Sequence, residues 1–224
     1  MATIVKKTVI AFLKIGMYEH NKALQNGMLR FGSLNSYSKT EDKSRVDKLE
    51  TVIHIEELPE ENILTLFHPS MGEINVKVDS ANIWKSNDQI GHAFCLFAIQ
   101  PIMIQNDSWQ LNSQMIEKGD SILLINNPKE FIRRTEVAIK NQNFKVAYDF
   151  ISYKSFERYT GEKSVFEKDL LFKEEQEFRF YVDFFSTNEA EYLEVGDLSD
   201  ISIIIECNNK VGGPRFLLKT NQKL

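Results

Sequence analysis

Short segments rich in β-branched and aromatic residues recur along the chain and predict a strand-rich protein. Residues 93–99 and 121–125 are almost continuously apolar, which is typical of central strands buried on both faces. Other segments of this composition predict strands at 4–14, 28–34, 51–55, 63–67, 73–78, 144–151, 175–185, 201–206 and 215–219. The residues Pro69-Ser70-Met71-Gly72 predict a hairpin turn between two of them.

Two segments carry the periodicity and end signals of helices. Residues 128–142 begin with Pro128, a residue that suits the first turn of a helix, and this segment predicts the longest or second-longest helix. Residues 18–26 predict a short helix that stops at Gly27, since glycine adopts the left-handed cap conformation at low cost.

These elements predict one α+β domain over residues 1–224, with a strand-rich, mainly antiparallel body and two or three helices. A chain of 224 residues can bury a large core without a disulfide or metal. The segment 35–50 has charged residues at 8 of its 16 positions, and we interpret it as a solvated loop.

Charge and cysteine usage narrow the class of protein. The 27 basic and 32 acidic residues give a net charge of −5, which argues against coating nucleic acid by bulk charge. No apolar run approaches the roughly 20 residues of a membrane-spanning helix. Cys95 and Cys207 lie in apolar surroundings without metal-ligand spacing, so we expect buried, reduced thiols in a cytoplasmic protein. The four histidines are scattered, and no metal is expected.

The most unusual segment is the predicted strand at 175–185. Alternation sends Phe178 and Phe180 to one face of the sheet. The opposite face then carries Glu175, Glu177, Arg179, Tyr181 and Asp183. Such a row is either an exposed sheet face, whose neighbouring charges pair with each other, or the floor of a polar cleft.

A second unusual residue is Arg30, which interrupts an otherwise apolar strand. A buried guanidinium needs a partner or a ligand, and arginine has the geometry to bind phosphate or carboxylate through two parallel hydrogen bonds. The alternative is that Arg30 points to solvent. The sequence leaves both interpretations open.

Three motifs resemble, in their order along the chain, a bacterial family of unknown function met in phage-defence and abortive-infection contexts. The motifs are Gly27-x-Leu29-x-Phe31-x-Ser33, Phe94-Cys95-Leu96 and Glu175-Gln176-Glu177-Phe178-Arg179. The resemblance implies a toxin-like role in phage defence and a partner protein from a defence system.

The same layout is similar, more distantly, to ADP-ribosyltransferases, in which a late strand presents the catalytic glutamate. This resemblance implies that Glu177 is catalytic, that Glu175 prepares the acceptor, and that NAD is the co-substrate. Cleavage of the nicotinamide–ribose bond develops oxocarbenium character, which a fixed carboxylate stabilises. The acceptor would be a nucleic acid or a protein. The residues implied to bind NAD are Lys14, Arg30, Ser33, Arg179 and Tyr181.

Two other functions compete with this one. A non-catalytic binding or sensor module, or an antitoxin-type partner, would present a flat or apolar patch. A metal-independent nuclease would use Arg30, Arg179 and a carboxylate. An ADP-ribosyltransferase would instead bring the two glutamates, Arg30 and Tyr181 together in one concave pocket.

Overall fold

The computed structural model describes residues 8–39, 47–58, 62–78, 81–87, 91–104, 108–117, 119–184, 189–207 and 214–217. The strands are β1 (Ala11–Gly16), β2 (Met28–Ser33), β3 (Val52–Leu58), β4 (Asn62–His68), β5 (Gly72–Val78), β6 (Ala81–Ser86), β7 (His92–Ile99), β8 (Ser108–Gln110), β9 (Ser121–Ile125), β10 (Val146–Phe150), β11 (Ser152–Lys154), β12 (Gly161–Glu162), β13 (Glu167–Asp169), β14 (Glu177–Val182), β15 (Glu191–Glu194), β16 (Ser202–Glu206) and β17 (Arg215–Leu217). The helices are α1 (Tyr18–Gln25), α2 (Leu34–Ser38), α3 (Ser113–Ile116) and α4 (Pro128–Asn141), with 3-10 helices at Pro101–Met103 and Leu170–Glu175.

An eight-stranded antiparallel sheet forms the body of the protein. Six strands follow the order β10-β14-β7-β1-β9-β16, while β2 pairs with both β7 and β15. The predicted central strand at 93–99 is confirmed as β7, which pairs with β14, β1 and β2. The predicted α+β class, strand-rich and mainly antiparallel, is therefore confirmed.

One face of this sheet packs against helices α1 and α4 through a phenylalanine-rich core. The ring of Phe131, on α4, lies 6.1 Å from that of Phe12 and 5.9 Å from that of Phe180. Burial of each such ring contributes about 1.5–3 kcal/mol. The helix starts as predicted, with Pro128 in its first turn and the Asn127 side chain accepting the Glu130 N–H at 3.2 Å.

The opposite face of the same sheet is also covered. Ala93, Cys95 and Tyr181 lie on this face and pack against Leu34 of α2 and against Val165. Glu177 and Arg179 on this side of β14 are therefore buried, whereas Tyr181 is half-buried and Asp183, just after the strand, is exposed.

We call the four consecutive strands β3 to β6 the arm. Strand β3 pairs with β6, and β4 pairs with β5 in a separate two-stranded sheet. The predicted turn before Gly72 is confirmed. Gly72 has a φ of 73°, which lies in the region that glycine adopts readily. Within the described part of the chain, no helix is long and apolar enough to span a membrane.

Three predicted boundaries differ from the structure. Strand β1 begins at Ala11, not at residue 4, and residues 4–7 lie outside the described chain. Strand β14 begins at Glu177, because Gln176 has a φ of 41° that ends the preceding 3-10 helix. The interpretation of 35–50 as a solvated loop is wrong at both ends, where helix α2 and a buried turn occur; residues 40–46 lie outside the described chain.

Candidate functional site

The covered face of β14 holds a group of buried ionisable residues, which we call the charge cluster. Strand β14 supplies Glu177 and Arg179, and the other members come from the turn before β3, the segment around β13 and the 3-10 helix before β14. The cluster consists of Asp47, Glu50, Lys163, Lys168, Glu175, Glu177 and Arg179. All but Glu175 are buried.

Arg179 is the centre of the cluster and is fully buried. Its Nε donates to Glu177 Oε1 at 2.6 Å, and its two Nη atoms donate to the two carboxylate oxygens of Glu50 at 2.7 and 3.0 Å. One Nη also donates to the Val165 carbonyl at 2.6 Å. This two-point contact with Glu50 fixes the plane of the guanidinium.

Lys168 bridges three carboxylates. Its Nζ lies 2.8 Å from Glu177 Oε2, 2.9 Å from Glu175 Oε2 and 3.3 Å from Glu50 Oε1. Each carboxylate oxygen of Glu177 therefore contacts one cation. The Glu177 backbone N–H donates to the Tyr153 hydroxyl at 2.9 Å, which fixes the start of the strand.

These contacts determine which side chains in and beside the cluster are ionised. Burial alone would raise the pKa of Glu177, but the charges of Arg179 and Lys168 outweigh it and lower that pKa well below its usual range. The pKa of Glu50 is lowered in the same way. Burial and the Glu177 carboxylate raise the pKa of Cys95 to about 12. At neutral pH the two glutamates are ionised and Cys95 is a protonated thiol.

Two members of the cluster have polar atoms that no other described residue satisfies. Asp47 Oδ2 and Lys163 Nζ are buried and without a hydrogen-bond partner in this part of the chain. Burial and the neighbouring Glu50 raise the pKa of Asp47, while burial lowers that of Lys163. A buried polar group without a partner costs free energy, so these two atoms mark a place for water or a polar ligand.

The cluster is slightly acidic. Its four carboxyl groups and three cations leave one negative charge when all are ionised. The interior therefore favours a group that carries or develops positive charge over a bare anion.

The structure brings together three of the residues that the sequence predicted as a site. Glu175, Glu177 and Arg179 meet around Lys168 in the charge cluster. Tyr181 points to the same face of β14, and its hydroxyl accepts the Gly91 N–H at 3.2 Å.

The other three predicted residues are not members of the charge cluster. Arg30 is exposed. It lies on the same sheet face as the cluster, because residues two apart share a face and Gly32 pairs with Ala93, which is on the cluster's face. Lys14 lies on the opposite face, with its Nζ 4.8 Å from the Phe94 ring centre and donating to the Cys95 carbonyl. Ser33 is buried beside His92, also on the opposite face.

Sequence reasoning did not identify four cluster members, namely Asp47, Glu50, Lys163 and Lys168. Two of them, Asp47 and Glu50, belong to the charged segment 35–50, which the sequence predicts to be a solvated loop. The signal in the sequence is the apolar character of Val52 and Ile55, shortly after Glu50. Both are buried, and a strand that begins buried brings the turn before it close to the body. Cys95 and Cys207 are free thiols, as predicted, but both are only partly buried, so the prediction that they are buried is wrong.

No family model matches the chain, and neither a curated protein nor a solved structure is similar to it. Among the described residues, no group of three or more His, Cys, Asp or Glu side chains is arranged to hold a metal ion.

Proposed function

We propose that the charge cluster is the active site of an ADP-ribosyltransferase-like enzyme that uses NAD as co-substrate and a nucleic acid or protein as acceptor. The observation that carries the proposal is the burial of six ionisable side chains at one site, two of them with a polar atom that forms no hydrogen bond to any described residue. Buried ion pairs contribute little net stability compared with apolar packing. Clusters of this kind are concentrated at functional sites.

Glu177 has the properties that stabilisation of an oxocarbenium ion requires. Its carboxylate is ionised and held by Arg179 and Lys168, so it need not reorganise as positive charge develops on the ribose. A carboxylate has about four acceptor sites, and Arg179, Lys168 and the Cys95 thiol occupy three of those of Glu177, so a ribose hydroxyl can bind without displacing either cation. The net negative charge of the cluster acts in the same direction.

The outer part of the proposed site is formed by Glu175 and Arg30. The Glu175 side chain is 22% exposed, which suits a residue that orients the acceptor nucleophile. Arg30 is exposed on the same sheet face and has the geometry to hold the pyrophosphate of NAD. A role in phage defence, with a partner protein from a defence system, is part of the same proposal and rests on the sequence resemblance.

A non-catalytic binding module is the second candidate, and the arm favours it. Several apolar side chains on β4 and β5 are exposed, including Ile63 at 66% and Phe67 at 81%. Apolar surfaces of this kind mark interaction sites in soluble proteins.

Incubation with labelled NAD and cell lysate distinguishes the two functions, with label in protein and in RNA counted separately. The informative variant is Glu175→Gln, and Glu167→Gln is its matched control. Each of these glutamates is 22% exposed and contacts one lysine at 2.9 Å, but Glu167 pairs with Lys154 outside the cluster.

We expect Glu175→Gln to reduce labelling about 100- to 1000-fold, the loss typical of removing one catalytic electrostatic group. Glu167→Gln should retain labelling, and both should melt close to the wild type. Equal labelling by all three proteins, or no labelling by the wild type, would leave the binding module as the function.

A further inference from the structure

The outer edge of strand β5 pairs with no strand that the structure describes. Among the described strands, β5 pairs with β4 alone, and that pairing runs without a bulge from Gly72 to Val78. The other edge of β5 can therefore accept a further strand. Native proteins normally protect such edges with charged side chains, proline, bulges or covering segments, and β5 carries the charges Glu73 and Lys77.

The pair β4–β5 also lacks apolar cover. Leu66 and Val76 are 47% and 41% exposed, and Phe67 on the other face is 81% exposed. An isolated two-stranded hairpin is marginally stable in water, and added strands are what stabilise it.

The sequence of β5 is complementary to itself. Antiparallel pairing of two β5 strands about a two-fold axis at Asn75 sets Glu73 opposite Lys77 of the second copy. The same register sets Ile74 opposite Val76, so apolar residues also face each other. A shift of two residues in either direction removes both charge pairs, which makes this register specific.

We propose that β5 is a homodimerisation strand, which joins two copies of the chain into a four-stranded antiparallel sheet across their arms. The interface is isologous, because each copy contributes the same edge and each charge pair occurs twice. A second copy is the favoured partner because its own edge supplies the complementary charges. The charge cluster has no part in this inference.

Sedimentation velocity from about 1 to 100 μM, which brackets a micromolar dissociation constant, tests the proposal. The variants Glu73→Lys and Lys77→Glu each place like charges opposite one another twice in a homodimer. We expect each variant alone to dimerise about tenfold or more weakly than the wild type.

An equimolar mixture of the two variants should associate again, since both charge pairs are then restored between unlike copies. The matched control is Lys85→Glu, an exposed charge reversal on β6 of the same arm, which should leave dimerisation unchanged. A monomeric wild type, unaffected single variants or a mixture that stays monomeric would each overturn the proposal.

Discussion

Replacement of Glu177 by Gln tests the buried charge cluster directly. Glu177 is 5% exposed and contacts Arg179 at 2.6 Å and Lys168 at 2.8 Å. Gln keeps the shape and one acceptor oxygen but removes the charge, so two buried cations lose one of their partners. Breaking a buried ion pair from one side typically costs about 3–5 kcal/mol. Since domains are stable by about 5–15 kcal/mol, this loss is a large share of the whole.

Urea unfolding at pH 7, followed by circular dichroism, measures this loss. The Glu177→Gln midpoint should fall strongly with an unchanged slope, because the folded and unfolded states keep their compactness. The control is Glu167→Gln, which breaks a more exposed pair and should cost about 0–1 kcal/mol. A loss no larger than that of the control would refute the buried arrangement. It would mean that Glu177 is accessible to water, as in either of the two alternatives that the sequence leaves open.

Three further predictions concern the rest of the fold. The pKa values of Glu177 and Glu50 are lower in the folded protein than in the unfolded chain, where a glutamate has a pKa of about 4.3. Their ionisation therefore stabilises the folded state above that pH, and this contribution is lost as the pH falls below it. The stability difference between wild type and Glu177→Gln in urea should therefore shrink from pH 5 to pH 2, by at most about 1.4 kcal/mol per pH unit. Thr135→Val should stabilise the protein by about 1 kcal/mol in thermal unfolding, because the buried Thr135 hydroxyl has no partner among the described residues. Gly196→Ala should lower the free energy of unfolding by about 1–2 kcal/mol, and Gly27→Ala should lower it by more. Both have positive φ, but only at Gly27 would an added Cβ lie 2.4 Å from a backbone oxygen.

The elements that the sequence predicted correctly have local determinants. Strand β7 is a continuous apolar run, α4 has a proline at its start and buried residues at helical spacing, and the β4–β5 turn has proline and glycine. Each signal lies within the segment it describes, so no distant contact is needed to interpret it.

The composition of the site could be predicted only in part, because alternation reports which residues share a face and not what covers that face. The row Glu177, Arg179 and Tyr181 lies on one side of β14, as predicted. Its cover includes Glu50, which is 129 positions from Arg179 in the sequence. In sequence, nothing distinguishes Glu50 from the other charged residues of the segment 35–50. Only the folded chain shows that its carboxylate matches the Arg179 guanidinium.

The charge cluster also determines where the arm leaves the body. Glu50 is held by Arg179, and strand β3 begins two residues later at Val52. The base of the arm is completed by Val52 and Ile55, which pack against Phe156. The turn before β3 places a carboxylate, that of Glu50, at a buried position. Its bidentate contact with Arg179 requires one position and orientation of that turn. Apolar packing tolerates small shifts more easily than such a contact does. The ion pair therefore fixes the origin of the arm relative to the sheet, and the proposed active site and the proposed dimerisation strand share this one anchored turn.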